Sequence, residues 1–285
     1  MARNHQKPAQ VDISVRRMDF TFTDIPRYWA LNDPVCTHFL NALSLTFPDG
    51  ERFFVDSVRA LRDRVEDKVR QKEISGFIGQ EAMHSKEHET FNQMLEGQGY
   101  GPVIEPALKL TRFLMARARK MLTPKQMLGA TAGLEHITAI LAQRMLRDPK
   151  LIEGLDPSVR ALWVWHAIEE IEHKAVAFDL YQDVVGSYWG RVRLLLAGST
   201  GLLGYCVRYT WAFLKADGLH TNPKVLARGL WRLFGWNGIV SGVIPDYLQY
   251  FRPGFHPWQE DNSSMIARWK EILPQPSNAA AIAAA

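Results

Sequence analysis

Apolar residues recur at three- and four-residue spacing along most of this chain, and no stretch of any length alternates apolar with polar positions. That pattern predicts helices and no sheet. Residues 1–33 are mixed and read as irregular, and an apolar run from Val35 to Phe47 reads as a helix that Pro48-Asp49-Gly50 ends. A new helix then starts near Glu51, with Phe54, Val55, Val58, Leu61 and Val65 at helical spacing. The next covers about 71–96 and stops at Gly97 and Gly99, and a connecting helix covers 105–121. Thr123-Pro124 and Asp156-Pro157 each pair a capping residue with a proline at the first helical position, and each opens a further long helix. Beyond Gly186 the chain becomes more apolar, with a charge-free run from Leu194 to Val207 that is shorter than a bilayer span. The division expected is an irregular segment at 1–33, a helical bundle at 34–186, an apolar helical extension capping it at 187–272, and a disordered tail at 273–285.

The polar residues that interrupt this pattern carry its chemistry. In "WHAIEEIEHKAVAFDLY", from Trp165 to Tyr181, two histidines and three glutamates lie within eight apolar-flanked positions. His166, Glu170 and His173 are four and three residues apart, on one helical face that Ala177 and Tyr181 continue; Glu169 and Glu172 fall off it. Helix 71–96 repeats the Glu-x-x-His spacing at Glu81 and His84, with His88 four residues further. Glu51 and Glu135 are single glutamates in apolar settings on two other helices. Burying such groups is costly unless they bind something. One Glu from each of two helices and one Glu-x-x-His from each of the other two is the ligand pattern of dinuclear carboxylate bundles. In such a site bridging carboxylates offset two divalent charges about 3.5–4 Å apart. His166 would add a seventh ligand. His88, His136, Glu87 and Asp179 are candidates for supporting positions around the ligands.

Composition narrows the rest. Of 285 residues 47% are apolar and 22% charged, as in a folded globular protein, and the net charge is only +4 with no concentrated basic run. Nucleic acid is therefore not an expected partner. Cys36 and Cys206 form no CxxC and no disulfide framework, and the amino terminus lacks an apolar leader core, so the expectation is a cytoplasmic protein. Peripheral membrane contact and a homodimer are compatible with this reading.

The stretches "FPDGERFF", "FIGQEAMHSKEH", "GLEHITA", "WHAIEEIEHKAVAFDLY" and "YFRPGFHPW" resemble the bacterial family described as predicted metal-dependent hydrolase, over about residues 15–270. The ligand set also resembles that of ferritin-like di-iron proteins, and His166, Glu170 and His173 look like the seven-ligand pattern of di-iron arylamine N-oxygenases. The resemblance implies an all-α, ferritin-like four-helix bundle. It makes Glu51 and Glu135 terminal ligands and Glu81 and Glu170 bridges, with His84 on one metal and His166 and His173 on the other. No stretch beyond the ligand motifs is shared with those oxygenases, so their substrate is not implied.

The favoured expectation is an O2-activating oxygenase or oxidase with two iron ions, or a manganese–iron pair. It would take O2 as co-substrate, an external electron donor, and a hydrophobic small molecule. The alternatives are a dinuclear hydrolase of an ester, amide or phosphoester, which hydrolyses without oxygen, and a non-catalytic metal-binding protein.

Overall fold

The computed structural model describes residues 11–273. The helices are α1 (Pro34–Ser44), α2 (Phe47–Arg59), α3 (Lys68–Leu95), α4 (Gly101–Met121), α5 (Pro124–Arg147), α6 (Pro149–Glu153), α7 (Pro157–His173), α8 (Val176–Val184), α9 (Tyr188–Ala216), α10 (Pro223–Phe234), α11 (Ile244–Gln249) and α12 (Ser263–Lys270). Among the described residues there is no β-strand, only an isolated bridge between Ala30 and Leu155. The fold is all-α.

Four helices form the centre. α2 packs on α3, α3 on α7, α7 on α5, and α5 back on α2, closing a ring around a shared interior. Its long members start where capping chemistry dictates. Thr123 closes a reciprocal cap with Gln126, and Asp67 and Asp156 accept backbone N–H groups of the first turn. Each such cap contributes about 1 kcal/mol. Proline at the first turn of α5 and α7 has no N–H to leave unpaired.

α9 lies outside the ring against α5 and α1, and α4 packs on α2 and α9. The approach of α5 to α9 requires glycine at 133, where an added Cβ would stand 2.9 Å from the Leu195 Cα. At the carboxyl end of α9, Asp217 accepts from the Tyr28 and Tyr100 hydroxyls and stands 2.9 Å from His38 Nε2. That buried cluster ties the extension to α1 and to the amino-terminal strap.

Residues 11–33 form that strap, which crosses α3 and α7 without regular structure. Gln80 on α3 donates to the Ser14 carbonyl, and Asp19 and Phe20 donate backbone N–H groups to Glu87. Phe20 packs edge-on against Trp165 of α7. At the other terminus Tyr250, Phe255 and Trp258 are buried, and α12 packs on α7 and α5. The tail expected to be disordered lies, from 274 onward, outside the described residues.

Several boundaries differ from the expectation. The chain breaks at Leu45-Thr46, so Pro48-Asp49-Gly50 sits inside the first turn of α2 and opens that helix rather than closing α1. Proline near a helix start fits that position as well as it fits a break. α3 continues through an irregular turn that ends on Gly99 at φ +93°, a left-handed conformation that glycine adopts without strain, and α4 starts at Gly101. The helix expected to run on through Tyr181 stops at His173 and resumes as α8, so Ala177 and Tyr181 do not continue its stripe.

Candidate metal centre

Each ring helix turns its polar oddity inward. Glu51 comes from α2, Glu81 and His84 from α3, Glu135 from α5, and His166, Glu170 and His173 from α7, and all seven are buried. Their inward atoms form three overlapping groups, each within 4.8 Å: Glu51, His84 and His166; Glu81, Glu135 and His173; Glu81, His84 and Glu170. His173 Nε2 stands 3.3 Å from oxygens of both Glu81 and Glu135, and His84 Nδ1 stands 3.3 Å from Glu81 and 3.5 Å from Glu170. His166 Nε2 is 2.9 Å from Glu170 Oε1 and 3.8 Å from Glu51 Oε1.

These approaches leave the inward atoms unsatisfied. Glu51 Oε1, both oxygens of Glu81 and of Glu135, Glu170 Oε2, His84 Nδ1 and His173 Nε2 are buried without a hydrogen-bond partner. Orphaned buried polar atoms are rare, and here eight of them converge on one space.

The outward atoms are all fixed, and they set the tautomers. His84 Nε2 faces Glu169 Oε2 at 3.1 Å, so it carries the proton and Nδ1 points inward as a lone pair when the ring is neutral. His173 Nδ1 faces Gln80 Oε1 at 2.9 Å, and Gln80 is held in that sense by donating to Glu172 and the Ser14 carbonyl. His173 Nε2 is thus the inward lone pair. The third case is a relay. Ser44 Oγ donates to Asn92 Oδ1, so it accepts from His88 Nδ1 at 2.8 Å. His88 Nε2 then accepts from His166 Nδ1 at 2.7 Å, which leaves His166 Nε2 bare toward the carboxylates. Outer hydrogen bonds that fix ring and tautomer are how proteins present imidazole to a metal. Four carboxylates and three such imidazoles fit a pair of divalent ions by donor type.

Without a cation between them the carboxylates compete for protons. Burial, then the charge of Glu81, holds Glu51 well above the usual carboxylate range. Burial, with Glu81 and Glu170, pushes Glu135 up to about 8. Against burial, the adjoining His166 and His173 rings hold Glu170 well below that range. His84 and His173 are raised, against burial, by Glu169 and Glu81 and by Glu135 and Glu170 respectively. Burial and the nearby His84 charge bring His166 down to about 4.

Not every candidate belongs here. His88 reaches the cluster only through His166. His136 lies beyond it, with Nε2 on the Asp246 carbonyl and its ring against Tyr250 and Phe255. Glu87 does not orient His84: it accepts the Asp19 and Phe20 N–H groups and anchors the strap. Asp179, on α8 past the break, pairs with His256 at 2.9 Å. The histidine pairing also differs from the one the resemblance implies, because His166 groups with His84 and Glu51 whereas His173 groups with Glu81 and Glu135. His166 and His173 are seven residues apart on α7, about 10 Å of rise, which is well past one metal spacing.

Sequence reasoning missed the layer behind the ligands. Glu169 accepts from Trp165 Nε1, Arg16 Nη1 and His84, and Glu172 accepts from Arg16, Gln80 and Lys270. Arg16 thus enters from the irregular strap to bind two buried carboxylates. A signal was present: Glu169 and Glu172 lie off the ligand face of a helix whose other faces are apolar, so each needed a partner.

Two apolar cavities border the cluster. One of about 350 Å³ lies between α2, α4, α5 and α9 and reaches Glu51. A smaller one of about 80 Å³ reaches His166 and Glu170 from the side of α1. Phe47 and Thr138 line both and separate them.

The profile of the family described as predicted metal-dependent hydrolase matches residues 14–261. No curated protein and no solved structure matches the chain significantly. The family match overturns the expectation of an O2-activating oxygenase or oxidase. Neither an apolar setting nor a histidine-rich ligand set is exclusive to redox chemistry, and the match supports the hydrolytic alternative instead.

Proposed function

Because this chain belongs to the predicted metal-dependent hydrolase family, we propose that it is an enzyme that hydrolyses an ester or amide of a hydrophobic acid. The observation that carries the proposal is the convergence of eight buried, unpartnered ligand atoms beside an apolar cavity. Glu51, His84 and His166 would hold one ion, Glu135 and His173 the other, with Glu81 and Glu170 between them. Carboxylate–imidazole sets suit iron, manganese and zinc. A divalent pair supplies Lewis-acid polarisation of the scissile group and lowers the pKa of water.

The chain's own residues do the rest. Of the seven, Glu51 lines the larger cavity, so the scissile group would lie at its end. Ser85 donates to Glu51 Oε2 at 2.9 Å and leaves Oε1 turned toward the cluster. Phe53, Phe54, Leu134 and Leu194 line the cavity, and would bind the acyl or aryl group and exclude bulk water. Among the described residues no Lys or Arg lines that cavity, which favours a carboxylic ester or amide over a phosphoester.

The test is a panel of chromogenic esters and amides of graded acyl length, assayed without oxygen, with metal content measured alongside. Two metals per chain are expected, with hydrolysis that survives anaerobiosis, stops on chelation, and disappears in Glu81→Ala and Glu170→Ala. Metal-loaded protein that cleaves nothing on the panel, or turnover that requires O2, would overturn the proposal.

A further inference from the structure

The outer face of α9 is apolar where a solvent-facing helix should be polar. Trp189, Leu196, Leu203, Val207 and Trp211 are all exposed, at seven- and four-residue spacing, and the tryptophans at the two ends are 65% and 49% exposed. The stripe is about 33 Å long at 1.5 Å per residue. α4, which packs beside α9, exposes Phe113, Leu114 and Met121. Isolated exposed apolar residues are ordinary, but contiguous ones mark an interaction surface.

Charge says what the surface meets. α9 holds four basic residues and no acidic one, and α4 holds five basic residues and Glu105. Together they carry a net +8, whereas the whole chain carries +4. Some of this charge is used within the fold: Lys109 pairs with Glu105, Arg119 with Asp56, and Arg191 is buried. Arg117, Lys120, Arg193, Arg208 and Lys215 are exposed and make no ion pair among the described residues. Arg117 lies one helical turn from both Phe113 and Met121. Exposed tryptophan and aliphatic groups flanked by unpaired cations match an anionic bilayer surface. No described helix is long and apolar enough to cross a membrane, so the helices would lie on it.

The larger cavity opens on the same face. Leu114 of α4 and Ala197 and Gly201 of α9 are exposed, and they also line the cavity that ends at Glu51. We propose that the α4–α9 face docks on an anionic phospholipid bilayer and that the seam between these helices admits a hydrophobic substrate from the membrane. Docking stands on the surface alone; only the fate of what enters rests on the proposed hydrolysis.

The test is flotation of the full chain with vesicles of phosphatidylcholine alone or mixed equally with phosphatidylglycerol. Chelated protein is used, so that no hydrolysis contributes and the two proposals fail separately. Binding to the mixed vesicles is expected to exceed binding to the neutral ones and to weaken with salt. Arg117→Gln with Lys120→Gln should reduce it roughly thirtyfold. Trp189→Glu with Trp211→Glu should abolish it. In the unaltered protein, brominated phospholipid should quench tryptophan fluorescence, a readout that stands even if the Glu variants fail to fold. Equal binding to both vesicles, no binding, or no quenching overturns the proposal. So does a dimer in solution that the Trp→Glu pair dissolves, since a second copy would then cover this face.

Discussion

Glu169→Gln separates a ligand from the group that orients it. Glu169 does not face the cluster; its Oε1 accepts from Arg16 at 2.8 Å and Trp165 at 2.9 Å, and its Oε2 accepts from His84 Nε2 at 3.1 Å. Glutamine has the same shape but a single acceptor oxygen. Two donors compete with one for it, so the amide oxygen stays with Arg16 and Trp165. The NH2 group then opposes the His84 Nε2–H. His84 must shift its proton to Nδ1, which is the atom 3.3 Å from Glu81 and 3.5 Å from Glu170. A protonated Nδ1 cannot bind a metal. Loss of such an orienting partner weakens metal affinity by about 10–100-fold, or about 1.4–2.7 kcal/mol. The metal-free fold should change less, because Arg16 keeps Glu172. Competitive titration with a metal indicator measures the affinity, and thermal unfolding of chelated protein measures the fold. Affinity within about twofold of the parent, in protein that unfolds normally, would refute the assignment of His84 Nδ1 as a ligand atom.

Further predictions follow from the same geometry. Ser44→Ala removes the hydroxyl that forces the His88–His166 relay, so the group around His166 should bind metal more weakly than that around His173, seen as loss of one of two metals on mild chelation. Raised groups bind protons more tightly when folded, so the metal-free protein should lose stability as pH rises from about 4.5 to about 8, where Glu135 gives up its proton, and the raised His84 and His173 add to the loss above about pH 6.5. Metal affinity should rise over the same range, with proton release on loading; unfolding scans of chelated and loaded protein, with a pH indicator, check both. Gly201→Leu fills open space on the cavity wall, since nothing lies within 4 Å of an added Cβ there. It should leave the fold intact and lower kcat/KM for long-chain esters about tenfold or more while sparing short ones. Trp29→Ala removes a ring stacked on Trp163 at 5.5 Å and set against Phe91, and should cost about 3–5 kcal/mol by denaturant unfolding.

The helical class, the four ring helices and the buried polar residues that share a face on each were legible in the sequence. Periodicity and spacing are local properties: Glu81 and His84 share a face because an α-helix turns about 100° per residue, whatever surrounds it. The caps at Thr123 and Asp156 were legible for the same reason. What only the tertiary structure decided is which groups meet. Pro48 stands near a break and inside a first turn with equal comfort, so the start of α2 depended on how Phe47 and Phe53 are buried. The stop at His173 left no composition signal. Grouping His166 with His84, and not with His173, depends on how α3 lies against α7. Arg16 comes from a segment with no periodicity, more than 150 residues from the carboxylates it holds, so no local pattern could pair them. The apolar run of α9 was legible but not which of its faces is exposed, because composition records only what a helix could bury. Only packing determines which of its faces find a partner, and here one face has none within the described chain.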